Sequence, residues 1–199
     1  ETQLADLMAE CYANPLLHVM VSYPWGQGQL DGRTGPDVWQ AEFLREVGSE
    51  VRKRGFTGRD AVDPLQFSTA SGHGIGKSAI TAWLIRWIMD TRPFCKGVVT
   101  ANTSEQLRTK TWAELAKWHD ISISKHWYHI NSGGGSMNMY HRDHRNTWRV
   151  DAQTSREENS EAFAGLHAAS STPFYIFDEA SAIPDKIFEV REGGLTDGE

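Results

Sequence analysis

Eight consecutive residues of this sequence have the composition of a phosphate-binding loop. Residues 71–78 read S-G-H-G-I-G-K-S, after a short apolar stretch and immediately before a helical pattern. Glycines let the backbone turn so that successive N–H groups point at phosphate oxygens, and the start of a helix adds partial positive charge. We therefore expect a nucleotide to be bound by the following residues: Ser71, Gly72, His73, Gly74, Ile75, Gly76, Lys77 and Ser78.

The last two residues of this loop carry its chemistry. A lysine at this position reaches the β and γ phosphates, so Lys77 is a candidate catalytic residue, and the hydroxyl of Ser78 is a candidate Mg²⁺ ligand. The usual pattern has glycine where this sequence has Ser71. Because serine is small and Gly72 and Gly74 lie beside it, we treat the loop as a tolerated variant of the pattern.

An acidic pair supplies the complementary half of the predicted site. Four apolar residues, 174–177, are followed directly by Asp178 and Glu179. A carboxylate at the end of a buried strand is placed to hold the magnesium shell, which we assign to Asp178. Glu179 can orient and deprotonate an attacking water, so it is the candidate general base. The pair alone is a weak signal, but with the upstream loop it predicts binding of ATP and Mg²⁺.

The elements that must position these residues follow an α/β pattern. From residue 65 onward, short apolar runs alternate with helical segments, which is typical of a mostly parallel sheet flanked by helices. The spacing predicts strands at 65–70, 97–101, 148–152 and 174–177, an inserted β-hairpin at 121–130 and 137–141, and helices at 77–90 and from Thr103 to about residue 119. The phosphate loop would then join the first of these strands to the first of these helices.

The N-terminal part has a different pattern, so we divide the chain into a helical segment at 1–60 and an ATPase core at 61–199. A helix is predicted at 1–12 and is expected to end at Asn14-Pro15. A short strand is predicted at 16–21 and an irregular, glycine-rich loop at 23–36. Asp37 is a plausible cap for a further helix at 38–54.

The composition limits the classes of function. With 39% hydrophobic and 23% charged residues, the chain is a folded domain rather than a disordered one. A formal charge of −6 argues against binding nucleic acid through an overall positive field, although it allows local basic patches. Two distant cysteines favour a reducing compartment, and no apolar run is long enough to span a bilayer, so we expect a cytoplasmic location and no membrane partner.

Taken together, these residues resemble a known family. The chain is similar to the ATPase domain of the large terminase subunit of tailed bacteriophages and prophages, through residues 71–78, 98–106, 161–167 and 177–184. The resemblance implies an additional-strand P-loop fold of the RecA and helicase type. It also implies a homo-oligomeric ring, a pentamer in the family, that hydrolyses ATP to move double-stranded DNA into a procapsid. The implied partners are the capsid portal, where the protein would act transiently, and the small terminase subunit.

The resemblance also assigns roles to single residues. Lys77, Ser78, Asp178 and Glu179 match the family's lysine, magnesium serine, magnesium aspartate and catalytic glutamate. Gln40 matches the glutamine that the family uses near the adenine, which would put segment 1–60 on the adenine side. The loop has histidine at position 73, which argues against an arginine finger within it, and the alternatives stay open: Arg108, Arg142, Arg145 and Arg156.

The family pattern continues beyond the acidic strand. There, a further strand couples hydrolysis to movement by inserting into the centre of the sheet, and a nuclease domain follows. This sequence has neither, so we expect the C-terminal strands of the core to be missing and the polypeptide alone to be poorly stable or inactive. Two alternatives are a helicase-like P-loop ATPase of a host and a truncated prophage remnant that binds nucleotide without turnover.

Overall fold

The fold is built around one five-stranded sheet. The computed structural model describes residues 1–56, 64–68, 76–101, 103–133, 135–154 and 171–178. In chain order the strands are β1 (Lys96–Ala101), β2 (Tyr128–Gly133), β3 (Ser136–His141), β4 (Arg149–Thr154) and β5 (Pro173–Phe177). Their order across the sheet is β2-β3-β4-β1-β5.

The sheet is mixed, so the prediction of a mostly parallel sheet is right in part. Strands β4, β1 and β5 run parallel to one another. The predicted hairpin pairs β2 with β3 in antiparallel fashion, and β3 continues the sheet by pairing antiparallel with β4. The predicted α/β class is confirmed, and this arrangement is compatible with a P-loop type of fold.

The first strand of the hairpin is shorter than predicted. It begins at Tyr128, and the segment before it contains a 3₁₀ turn at Lys125–Trp127. The prediction of a strand from residue 121 is therefore wrong. The physical reason is local, because the side chains of Ser122 and Ser124 turn inward to accept hydrogen bonds from the buried Arg86 instead of joining a β ladder.

Six α-helical segments accompany the sheet in the described part of the chain. They are α1 (Thr2–Glu10), α2 (Pro15–Ser22), α3 (Val38–Lys53), α4 (Lys77–Thr91), α5 (Ser104–Gln106) and α6 (Ala113–Asp120), with a π-helical segment at Leu107–Trp112 between the last two and a 3₁₀ turn at Gly28–Leu30. The predicted helices at 1–12, 38–54, 77–90 and 103–119 are confirmed within a few residues. Asp37 and Gln40 form the capping box of α3, as expected of an N-cap residue and the residue three places later.

The predicted strand at 16–21 is wrong, because these residues belong to α2. The side chain of Asn14 accepts a hydrogen bond from the N–H of Leu17, at 3.1 Å, and Pro15 occupies the first helical position. Proline is well tolerated there because that N–H has no helical partner in any case. The Asn-Pro pair that was expected only to end α1 therefore also begins α2.

The predicted strand at 65–70 is not present in the part of it that the structure describes. Residues 64–68 form no strand, and residues 69 and 70 lie outside the described ranges. Arg54 donates a hydrogen bond to the carbonyl of Pro64 at 2.8 Å, and the ring of Phe67 meets that of Phe43 at 5.8 Å. Leu65 packs against the cluster that includes Val47 and Val51 of α3, while Phe67 stays exposed beside Phe43, so the apolar residues that indicated a strand make a local contact with a helix instead.

Helix α4 lies at the centre of the fold. Its side chains are buried on every face, which is typical of a helix surrounded by other elements, and it packs against α1, α2 and α6. An aromatic cluster of Tyr23, Trp25, Trp83 and Trp118 joins α4 to α6 and to the loop after α2, with ring centroids 4.8–6.4 Å apart. Among the described helices, none has the length and apolar character that a bilayer crossing requires.

Candidate functional site

The described part of the phosphate loop begins at Gly76. This glycine is the N-cap of α4 and has a φ of +87°, in the left-handed region, a conformation that glycine adopts without the steric cost of a Cβ. Lys77 and Ser78 are the first two residues of α4, where backbone N–H groups have no helical acceptor. Ser71, Gly72, His73, Gly74 and Ile75 lie outside the described residues, so their predicted phosphate contacts stay predictions.

Gln40 connects α3 to this loop. Its Nε2 donates a hydrogen bond to the carbonyl of Gly76 at 3.0 Å, while its Oε1 accepts one from the N–H of Asp37 at 2.8 Å. The side chain is buried, with 4% of its surface exposed. A Cβ on Gly76 would lie only 2.6 Å from Gln40 Nε2, so the contact requires a glycine. The predicted adenine contact of Gln40 stays a prediction, and the preceding residue, Trp39, packs against the core.

Asp178 lies at the carboxyl-terminal end of β5. Its N–H donates to the carbonyl of Thr100 at 2.9 Å, which extends the parallel β1–β5 ladder by one residue. The carboxyl ends of parallel strands share one edge of the sheet, and ligands of α/β proteins bind along that edge. The predicted position of Asp178 at a strand end is therefore confirmed, whereas Glu179 lies outside the described residues and its role as a base stays a prediction.

A threonine that the sequence did not indicate contacts this carboxylate. The hydroxyl of Thr111 donates a hydrogen bond to Oδ2 of Asp178. Thr111 is 1% exposed and belongs to the π-helical segment. A helical pattern alone gives no sign of such a contact, because the π turn changes which side chains face the end of β5.

Helix α4 packs against α6 and against the π-helical segment that precedes α6. Trp83 of α4 meets Trp118 of α6, with ring centroids 5.0 Å apart, and Arg86, about one turn after Trp83, meets the next residue of α6, His119, at 3.1 Å. The helix that begins at Lys77 and the segment that contains Thr111 are therefore neighbours in the fold.

The side chains in this region are suited to a hard cation. The hydroxyl of Ser78 and the carboxylate of Asp178 are oxygen donors of the kind that Mg²⁺ prefers when it is bound together with phosphates. The described residues contain no cluster of three or more His, Cys, Asp or Glu side chains that could hold a metal ion on its own. The donor chemistry of Ser78 and Asp178 suits Mg²⁺, and binding of that ion stays a prediction.

Both cysteines are buried thiols. Cys11 and Cys95 are buried and unpaired as disulfides. Burial raises the pKa of the Cys11 thiol to about 11 and raises that of Cys95 as well. Because the thiolate is the nucleophile, both thiols are inert at neutral pH.

The candidate arginine fingers occupy different edges of the molecule. Arg142 and Arg145 follow β3, whose end pairs with the start of β4, so they lie at the sheet edge opposite Asp178. Arg142 Nε donates to the carbonyl of His126 at 3.0 Å. Arg108 is exposed in the π-helical segment, on the Asp178 side, and Arg156 lies outside the described residues.

The chain is similar to a protein of a bacterial virus. It is 28% identical over 130 residues to the "Probable terminase, large subunit" of Enterobacteria phage P7, a match that covers 65% of this chain and 26% of that protein. The chain thus spans about a quarter of the length of this relative. No family model matches the chain, and no solved structure matches it.

Proposed function

We propose that this chain is the ATPase part of a viral DNA-packaging motor, which hydrolyses ATP with Mg²⁺ to translocate double-stranded DNA into a procapsid. The similarity to the large terminase subunit of phage P7 carries the proposal. The arrangement of Gly76 before α4 and Asp178 after β5 supports it, because these are the positions in which P-loop ATPases hold a nucleotide and its metal.

In the proposed site, different residues bind the phosphates, hold the metal and activate the water. The N-terminus of α4 and Lys77 bind the phosphates and balance their negative charge, and Ser78 and Asp178 hold the metal. When bound, the magnesium ion neutralises charge on the phosphates. Glu179 orients a water molecule and accepts its proton, and Gln40 keeps the last glycine of the loop in place through the Gly76 carbonyl.

The proposed partners follow from the same function. A packaging motor contacts double-stranded DNA, works as a ring of identical subunits and docks on the capsid portal, with the small terminase subunit as a further partner. An arginine finger in such a ring comes from the same or a neighbouring subunit. Arg108 belongs to the same π-helical segment as Thr111, which contacts Asp178, so it is the first candidate within a subunit.

Hydrolysis by the intact protein tests this proposal. We expect Mg²⁺-dependent ATP hydrolysis that double-stranded DNA stimulates. Glu179→Ala should reduce turnover by about 10²–10⁴-fold, since that is the usual contribution of a general base, while leaving nucleotide binding intact. Lys77→Ala should weaken binding itself, and Lys53→Ala, which changes an exposed lysine at the end of α3, is the matched control.

The outcomes separate the parts of the proposal. Unchanged hydrolysis in Glu179→Ala would show that the base is wrongly assigned. Nucleotide binding without any hydrolysis in the unmodified protein would favour a binding module instead of a motor. Equal loss of activity in Lys77→Ala and Lys53→Ala would mean that the phosphate loop has no special role.

A further inference from the structure

The hydrogen bond between Thr111 and Asp178 has no role in the function described so far. It joins a helix that follows β1 to the strand end of β5, across 67 residues of sequence. The threonine is almost completely buried, with 1% of its surface exposed. A hydrogen bond from a buried hydroxyl to a carboxylate is strong only when the distance and angle between the two groups are maintained. The contact therefore fixes the orientation of the Asp178 carboxylate.

The backbone around Thr111 is unusual in a way that favours this contact. Residues Leu107–Trp112 are π-helical, and π-helical turns in α-helices frequently occur at functional sites. The hydroxyl of Thr109 donates to the carbonyl of Glu105 at 2.7 Å. That carbonyl is the usual acceptor for the N–H four residues later, so the side chain competes with the α-helical bond and favours the wider turn.

The two ends of this segment are fixed. The side chain of Thr103 accepts a hydrogen bond from the N–H of Gln106 at 3.2 Å and caps the first turn. At the end of the π-helical segment, Trp112 donates from its indole N–H to the carbonyl of Asn131 in β2 at 2.8 Å. Because both ends are held, the wider turn cannot relax by sliding along the helix, and Thr111 stays directed at Asp178.

The carboxylate is held at one oxygen. The backbone N–H of Asp178 is used by the carbonyl of Thr100, and its Oδ2 by the hydroxyl of Thr111. Its Oδ1 accepts no hydrogen bond from any residue within the described ranges. One oxygen is therefore fixed by the protein, and the orientation of the other follows from it.

We infer that Thr111 is a positioning residue for the magnesium-binding carboxylate of Asp178. This inference rests on the proposed function, since it assumes that Asp178 holds the metal of a bound nucleotide. Thr111 does not touch the metal or the nucleotide in this account. It sets the orientation of Asp178, as residues behind a metal ligand commonly do, and their loss typically weakens metal affinity about 10–100-fold.

The test measures how Mg²⁺ supports nucleotide binding in the intact protein. A fluorescent ATP analogue is titrated at several Mg²⁺ concentrations, which gives an apparent Mg²⁺ affinity and a separate affinity for the metal-free nucleotide. We expect Thr111→Val to weaken the Mg²⁺ affinity about 10–100-fold with little change in metal-free binding. Thr111→Ser keeps the hydroxyl and should restore a nearly unchanged Mg²⁺ affinity.

Thr91→Val is the matched control. Thr91 is also a buried threonine, and its hydroxyl donates to the carbonyl of Trp87 at 2.6 Å, but it lies at the far end of α4. We expect this variant to lower thermal stability without changing the Mg²⁺ affinity. If Thr111→Val is too unstable to purify, Thr111→Ala compared with Thr111→Ser examines the same hydroxyl with a smaller side chain.

The outcomes distinguish this inference from the proposed function. The inference is overturned if Thr111→Val binds Mg²⁺ and nucleotide as the unmodified protein does, or if Thr111→Ser is as impaired as Thr111→Val. The proposed function itself fails if the unmodified protein binds no nucleotide, or if Asp178→Asn leaves Mg²⁺-dependent binding unchanged. An effect of Thr111→Val that persists undiminished in the Asp178→Asn background also overturns the inference.

Discussion

Gln40 is the residue that ties the N-terminal helices to the start of α4. One end of its amide caps α3 and the other holds the carbonyl of Gly76. Gly76 has no Cβ, and a methyl group there would collide with this amide. The contact therefore requires both the glutamine and the glycine. We expect a substitution at either position to change the conformation of the phosphate loop.

This pair gives a prediction about Gln40. Gln40→Met has a similar size but leaves the N–H of Asp37 and the carbonyl of Gly76 without partners, so we expect the free energy of unfolding to fall by about 1–3 kcal/mol. Denaturant titration measures this change. Gln27→Met, at an exposed position in the loop after α2, is the control and should change stability little.

Nucleotide preference separates the two roles of Gln40. If it only positions Gly76, Gln40→Met should weaken binding of ATP and GTP equally. If it also contacts adenine, as the resemblance implies, the loss should be larger for ATP. Unchanged stability and unchanged affinity for both nucleotides would contradict the positioning role.

Parts of the candidate site could be predicted from single residues. The start of α4 and the strand end at Asp178 follow from local signals, because glycine before a helix and an acidic residue after an apolar run are typical of those positions. Thr111 could not be predicted, since its contact with Asp178 depends on a π-helical turn that helical spacing in the sequence does not indicate. The bond from Gln40 to Gly76 spans 36 residues and depends on how α3 docks.

At the scale of elements, a side chain of β5 covers a glycine of β1. Gly97 of β1 lies opposite Phe174 of β5 in the parallel register. An added Cβ at Gly97 would lie 2.1 Å from Phe174 Cζ. Phe174 is itself buried, so the ring covers the space that any larger residue at position 97 would need.

We therefore predict that Gly97→Ala is destabilising. The methyl group must displace a buried ring, and overpacking of this kind costs about 1–3 kcal/mol, which urea titration would measure. Gly133→Ala is the matched control, because a Cβ at Gly133 at the end of β2 meets nothing within 4 Å. Phe174→Leu should reduce the cost of Gly97→Ala, and equal costs at the two glycines would contradict the packing argument.

The elements themselves could be predicted where their pattern was long. The helices α3 and α4 have extended apolar periodicity, and their predicted bounds agree with the structure. Predictions for short segments failed, because an apolar run such as 16–21 fits a strand and a helix equally well. In this run the capping of α2 by Asn14 favours the helix. The predicted strand at 65–70 failed in its described residues for a similar reason, since Leu65 and Phe67, two residues apart, both contact the surroundings of α3 without joining a sheet.

At the scale of the whole molecule, a buried polar network connects the N-terminal helices to the core. Arg86 and Asp90 of α4 pair at 3.1 Å, and His18 of α2 contacts Asp90 at 2.8 Å. Arg86 also contacts His119 of α6, and Ser124 donates to Asp90 at 2.8 Å. Breaking such a network leaves a charge buried without its partner, which is strongly destabilising, so the network fixes how α2, α4 and α6 pack together.

His119 makes the stability of this network depend on pH. Arginine can only donate, so the bond from Arg86 Nη1 to His119 Nδ1 requires a neutral imidazole. Burial, with a further contribution from Arg86, lowers the pKa of His119 from 6.5 to about 3. Between these two pH values the unfolded chain binds a proton that the folded chain does not, so the stability contributed by neutral His119 is complete above pH 6.5 and falls as the pH is lowered toward 3.

The matching prediction compares the protein with His119→Asn, which keeps an acceptor for Arg86 but does not titrate. Between pH 7.5 and 5 we expect the unmodified protein to lose about 2 kcal/mol of unfolding free energy relative to the variant, from the pKa difference of His119. Denaturant titrations at several pH values measure both curves. Asp90 and the other titrating groups are common to both proteins, so their effects cancel in the difference. Parallel curves would mean that the pKa of His119 is the same in the folded and the unfolded chain, which would contradict both its burial and its bond from Arg86.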